Sequence, residues 1–175
     1  MKSPNVINLT KAANLPKGSR AIFDTNIFIY FVTAHRDFGP SCKAIIRRVE
    51  KGEIEGIIPS VVMNELLHNF ILIELINKDL ALDRGHAIAL VKHNPSVIQN
   101  LTVAWDLFKE LPEMGFTIIE DGKGITDRTY FFSKELSLMA KDAAIVSYAH
   151  TFDIAHIVTN DHDFERIPWL TTWKP

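Results

Sequence analysis

The chain has 175 residues, a formal net charge of -2, and 47% hydrophobic and 23% charged residues. This is the composition of a globular protein rather than a disordered or fibrous one, and the length suits one domain with a substantial core. The charge excludes a general affinity for polyanions, so nucleic-acid contact would need a local basic patch or bound cations.

Residues 1–19 are polar, carry Pro4, Pro16 and Gly18, and read as a lead-in to a single domain over 20–175. They lack the apolar core of a signal peptide, and no later apolar run reaches the roughly 20 residues of a membrane span, so a cytoplasmic location is expected. "RAIF" (20–23) reads as a buried strand ending at Asp24. The following "IFIYFV" suits strand or helix equally, since short apolar runs do not separate the two. Pro40 and Gly52 bound a helix over 41–51, with Ser41 placed as its N-cap. "EGIIPS" is a short buried strand, and Ser60 is placed to cap the helix "VVMNELLHNFILIELINK". Further helix covers 79–110, broken near Gly85 and at "HNPS".

Residues 66–112 hold helices without a strand, a helical excursion from the sheet, and "LLHNFILIELI" within them suits a core or dimer interface. "GFTIIE" reads as a third strand, "SKELSLMAKDAAIVSYAH" as one helix, "AHIVTND" as a fourth strand, and "WLTTWKP" as a short edge strand. Strands separated by helices, with no tight hairpin turn, predict a three-layer α/β/α domain. Its central sheet would be mostly parallel, with four to five strands.

In such a fold the active site lies beyond the carboxyl ends of the strands, where the strand order reverses. Asp24 follows the first strand, Glu65 lies in the second turn of the helix after the second, and Asp161 and Asp163 follow the fourth. All map to one edge of the sheet. Asp142 differs, because it sits in a helix on the stripe of Leu138, Met139, Ile145 and Val146. Clustered carboxylates repel one another, and a hard divalent cation such as Mg²⁺ relieves that repulsion while keeping several waters. A lone cysteine, Cys42, and the lack of helix-spaced histidine pairs argue against zinc.

Each residue also has a plainer reading. Asp24 suits a turn or N-cap, Asp161 and Asp163 suit a polar loop, and Glu65 suits a helix-dipole charge or an ion pair. Asp142 can join a buried salt bridge with its neighbour Lys141. Lys43, Arg47 and Lys51 form a basic stripe that serves as a solvated face or as a phosphate-contacting edge. Trp105, Phe108, Trp169 and Trp173 suit core packing or base stacking. His68 and His162 lie close in sequence to the acidic residues, and neither is expected to be a catalytic group.

"FDTN", the Glu in the helix after the second strand, "KDAAIVSYA" and "IVTNDHDF" together resemble the PIN-domain motifs, close to those of VapC-type toxins, over most of 20–170. The resemblance implies a metal-dependent nuclease acting mostly on RNA, with Asp24, Glu65, Asp142 and Asp161 at a Mg²⁺ or Mn²⁺ site and Asp163 as an additional acidic residue. It implies that Thr25 and Asn26 shape the first loop and that Thr159 and Asn160 orient the last. It further implies an RNA substrate, a homodimer and, for a toxin, a small antitoxin partner. The expected reaction is in-line attack of an activated water on a phosphodiester, leaving a 5′-phosphate and a 3′-hydroxyl. Two alternatives stand beside it: a non-catalytic RNA-binding or scaffold PIN domain, and an α/β phosphatase. The haloacid-dehalogenase type of phosphatase wants a second Asp where this chain has Asn26.

Overall fold

The computed structural model describes residues 10–175. Its centre is three parallel strands: β2 (Arg20–Phe23), β3 (Glu55–Pro59) and β5 (His156–Val158). Ala21, Ile22, Phe23, Ile57, Ile58, Ile157 and Val158 are each 0% exposed. Neighbours along a strand point to opposite faces, so their joint burial means that both faces of the sheet are covered. β4 (Thr117–Ile119) lies outside β3, and β6 (Thr171–Lys174) lies outside β5.

β1 (Thr10–Lys11) pairs with β6 and completes a six-stranded, all-parallel sheet in the order β1-β6-β5-β2-β3-β4. The sheet therefore exceeds the four to five strands expected, and the tail strand is flanked rather than at the edge. The extra strand comes from the segment expected to be a lead-in, whose residues 1–9 lie outside the described residues.

The ambiguous run after Asp24 is helix α1 (Thr25–Val32). Asp24 caps it by accepting from the Thr25 N–H at 2.7 Å, and Phe28 packs 5.1 Å from Phe116 in the core. Helix α2 (Gly39–Glu50) begins ahead of Ser41, which does not cap it. Pro40 sits in its first turn, where a missing N–H removes no helical bond. The ring of His35 accepts from the Asp37 and Phe38 N–H groups at its entry. Arg48 of α2 ties down the segment after β1 by donating to the carbonyl oxygens of Ala12, Ala13 and Leu15.

Helix α3 (Ser60–Asn77) starts at Ser60 itself, with Pro59 as its cap residue. The Ser60 hydroxyl is not a cap; it bonds the Tyr148 hydroxyl at 2.7 Å and Asp121 at 3.0 Å. Helix α4 (Arg84–His93) contains Gly85 in its first turn, because the Asp83 carboxylate accepts from the His86 N–H and secures the start. Helix α5 (Val103–Glu113) is capped from a distance: the buried Glu74 on α3 accepts from the N–H groups of Thr102 and Ala104 at 3.0 and 2.7 Å.

The helix expected over "SKELSLMAKDAAIVSYAH" is two helices, α6 (Ile125–Leu136) and α7 (Ala140–Thr151). Ser137 turns left-handed at φ 52°, and the Leu138 N–H closes the end of α6 on the Ser133 carbonyl. Asp142 thus lies in the first turn of a new helix rather than in the middle of a long one. From β2 the chain moves outward to β3 and β4, then returns across the sheet to β5 on the other side of β2. The order reverses between β2 and β5, and a crevice opens there at their carboxyl ends. Among the described residues no helix is long and apolar enough to cross a membrane.

Candidate metal centre

The crevice is built around Asp24, which ends β2 and is 1% exposed. Its Oδ1 accepts from the Thr25 N–H and lies 3.4 Å from the Lys141 ammonium. Its Oδ2 accepts from the Asn26 amide at 2.6 Å and from the Thr159 hydroxyl at 2.8 Å. Asn26 also donates to the Thr159 hydroxyl and accepts from the Asn160 N–H, which stitches the ends of β2 and β5 together. Burial is the largest influence on the Asp24 carboxyl and raises its pKa, against Lys141, Thr159 and the Thr25 N–H. With donors around it on every side, the ionised form is the one the geometry serves.

Lys141 lies in the first turn of α7 next to Asp142. Its Nζ lies 3.4 Å from Asp24 Oδ1, 3.2 Å from Glu65 Oε2 and 3.8 Å from Asp142 Oδ1. Burial would weaken this ammonium, but Asp24, Glu65 and Asp142 outweigh it and raise its pKa. Glu65 also accepts from the Thr25 hydroxyl, and Asn69 donates to its backbone carbonyl.

On the other side of Asp142, the loop after β5 brings in Asp161 and Asp163. One carboxylate oxygen from each of Asp142, Asp161 and Asp163 lies within 4.8 Å of the others. The Thr159 hydroxyl holds the Asp161 N–H at 3.0 Å, and Asp161 accepts from the Asp163 N–H at 2.8 Å, so the loop is fixed from within. Asp163 also pairs with the exposed Arg166. Asp142 is 7% exposed, and its Oδ1 has no hydrogen-bond partner. Burial raises its carboxyl to about 6; Lys141 opposes this, and Asp161, Asp24 and Asp163 add to it. A buried carboxylate oxygen left without a donor, beside two more carboxylates, fits a hard divalent cation such as Mg²⁺ or Mn²⁺.

All five acidic positions singled out in the sequence thus reach one crevice, in two groups. Asp142, Asp161 and Asp163 form an oxygen cluster, whereas Asp24 and Glu65 gather on Lys141. Thr25, Asn26, Thr159 and Asn160 surround Asp24 or its loop partners. Lys43, Arg47 and Lys51 are exposed on or just beyond α2, and among the described residues none bonds a carboxylate of the cluster. His68 is exposed, and His162 pairs with Glu165. Trp173 is buried, and Trp169 is 40% exposed and packs against Phe132 and His150.

Two contributors and one further acidic residue are not evident from the sequence. Lys141 reads there only as a partner of Asp142, although a cation beside a helix-borne carboxylate is visible. Tyr30, whose hydroxyl accepts from the Asn160 amide at 3.3 Å, carried no signal within its apolar run. Asp121 follows β4 at the same sheet edge but bonds Ser60 and Tyr148. The strand-end rule applied to "GFTIIE" would have found it.

Fold and crevice together define a parallel α/β domain with a cation-seeking acidic cluster at its switch point. The chain belongs to the PIN domain family, whose model matches residues 21–170. It is similar to Ribonuclease VapC2 of Methanocaldococcus jannaschii, 28% identical over 152 residues that cover 87% of this chain and 91% of the relative. The fold resembles VapBC2 from Rickettsia felis bound to a promoter DNA fragment, at TM-score 0.56 and 21% identity over 89% of this chain and 98% of the other. It also resembles a toxin-antitoxin complex from Klebsiella pneumoniae, at TM-score 0.51 and 19% identity over 86% and 94%.

Proposed function

We propose that the protein is a divalent-metal-dependent endoribonuclease, acting as the toxin of a toxin-antitoxin pair. The observation that carries this reading is the cluster of Asp142, Asp161 and Asp163, one carboxylate oxygen of each within 4.8 Å of the others, in which Asp142 is buried and its Oδ1 has no hydrogen-bond partner. These three residues would hold the ion, with Asp24 and Glu65 beside them across Lys141. A hard divalent ion there supplies a lowered pKa for an attacking water and positive charge opposite a phosphodiester.

The chain's own residues do the rest. Asp24 anchors the two strand ends, and Thr159 orients both Asp24 and the Asp161 loop. Glu65, whose side chain is 34% exposed, faces the crevice as the group able to orient the water. Lys43 lines a cleft with Phe31, His35 and Arg36, and the His35 ring lies 4.8 Å from that of Tyr30. Tyr30 in turn bonds Asn160, which links this basic cleft to the crevice and offers a path for the RNA backbone. Arg47 and Lys51 extend the same stripe.

The similarity to Ribonuclease VapC2 and to chains from toxin-antitoxin assemblies supports an antitoxin partner. Purified protein and Asp142→Asn, incubated with structured and unstructured RNAs in Mn²⁺, Mg²⁺ or EDTA, test the activity. Cleavage that needs metal and vanishes in the variant is the expected result. RNA bound tightly but never cut by the unmodified protein would instead identify a non-catalytic RNA-binding domain.

A further inference from the structure

The two halves of the acidic crevice differ in what they lack. In the half formed by Asp142, Asp161 and Asp163, Asp142 Oδ1 is buried without a hydrogen-bond donor, and its nearest cation, Lys141 Nζ, stands off at 3.8 Å. In the half formed by Asp24 and Glu65, a cation is already in place: the Lys141 ammonium lies 3.4 Å from Asp24 Oδ1 and 3.2 Å from Glu65 Oε2. A carboxylate offers about four lone-pair sites. Asp24 fills them with the Thr25 N–H, the Asn26 amide, the Thr159 hydroxyl and Lys141. Glu65 Oε2 takes the Thr25 hydroxyl and Lys141, the latter at 3.2 Å. A divalent ion bridging Asp24 Oδ1 and Glu65 Oε2 would have to displace the ammonium.

We propose that the Lys141 ammonium takes the place of a second divalent ion, so that this centre binds one Mg²⁺ or Mn²⁺, at Asp142, Asp161 and Asp163. This rests on the metal-centre reading given above and specifies its stoichiometry. The built-in cation balances Asp24 and Glu65, the two carboxylates that the three-residue cluster leaves out. It also keeps the crevice from collapsing into unbalanced negative charge before metal arrives. Lys141 is therefore a positioning residue, acting through Asp24 and Glu65 rather than on substrate.

The test is Mn²⁺ binding to metal-stripped protein, followed by calorimetry or by the spin-resonance signal of free Mn²⁺. The unmodified chain should bind one ion, and Lys141→Met should bind two. Glu65→Gln should keep the single ion with affinity changed by less than about threefold, whereas Asp161→Asn should weaken it by roughly tenfold or more. Glu65→Gln and Asp161→Asn leave Lys141 in place, so they decide the matter even if Lys141→Met fails to fold. Two ions in the unmodified chain, one ion in a folded Lys141→Met, or loss of the ion in Glu65→Gln would each overturn the proposal while leaving a metal centre intact. No bound ion in the unmodified chain would overturn the metal-centre reading itself.

Discussion

The Thr159 hydroxyl donates to Asp24 Oδ2 at 2.8 Å, joining two residues that are 135 positions apart in the chain. The same oxygen accepts from the Asp161 N–H at 3.0 Å. One hydroxyl therefore couples the buried carboxylate at the end of β2 to the loop that carries Asp161 and Asp163. Thr159→Val keeps the shape and removes the bonds. Losing a hydrogen bond that orients a ligand loop costs metal affinity roughly 10–100-fold, and Mn²⁺ titration by calorimetry should show a fall in that range with the fold intact.

Asp142 ties stability to pH in the metal-free protein. Its carboxyl is raised from 3.8 to about 6, chiefly by burial. Between those values the folded chain keeps a proton that the unfolded chain has released, so stability falls as pH rises through this window. The full effect is on the order of 2–3 kcal/mol. Melts in EDTA at stepped pH should show Asp142→Asn gaining on the unmodified chain as pH rises from about 4 to 6. A constant difference between the two across that range would refute the assignment.

Metal reverses that dependence. Ligand carboxylates must lose their protons to bind, so Mn²⁺ affinity should climb with pH up to about 6 and then level off. Adding Mn²⁺ at a hundred times its dissociation constant should stabilise the fold by about 2.7 kcal/mol. EDTA should abolish that gain, and Asp142→Asn should never show it.

Glu74 serves the fold rather than the crevice. It is 3% exposed, and its carboxylate accepts from two N–H groups at the start of α5 and from Lys78. Burial raises its pKa, but the Lys78 bond and the backbone donors outweigh this and hold it below the ordinary value. Its stabilisation is present at neutral pH and is lost as acid protonates the folded carboxylate. Glu74→Gln should cost about 1–3 kcal/mol, seen as a lower melting temperature, with Mn²⁺ stoichiometry unchanged.

Gly56 marks a packing limit on β3. A Cβ there would lie 2.6 Å from Phe116 Cε1 and 2.8 Å from Val49 Cγ2. Phe116 has little freedom to yield, since its ring sits 5.0 Å from that of Phe23 and 5.1 Å from that of Phe28. Gly56→Ala should destabilise by about 1–3 kcal/mol, as overpacked cores do, and denaturant unfolding would measure it.

The sequence by itself determined the fold class and the list of acidic residues. Unbroken apolar strands such as "RAIF" and "EGIIP" can be buried only inside a sheet covered on both faces, and the strand-end rule places Asp24 and Asp161 together. Local pattern could not decide whether "IFIYFV" was strand or helix, because that depended on Asp24 capping it and on Phe28 finding Phe116. Nor could it break "SKELSLMAKDAAIVSYAH" at Ser137, a left-handed residue with no glycine to announce it. Only the tertiary structure divided the acidic residues into an oxygen cluster and a lysine-bound pair. That division depends on where one flexible ammonium comes to rest between β2, α3 and α7, a distance of a few ångströms that no spacing along the chain encodes.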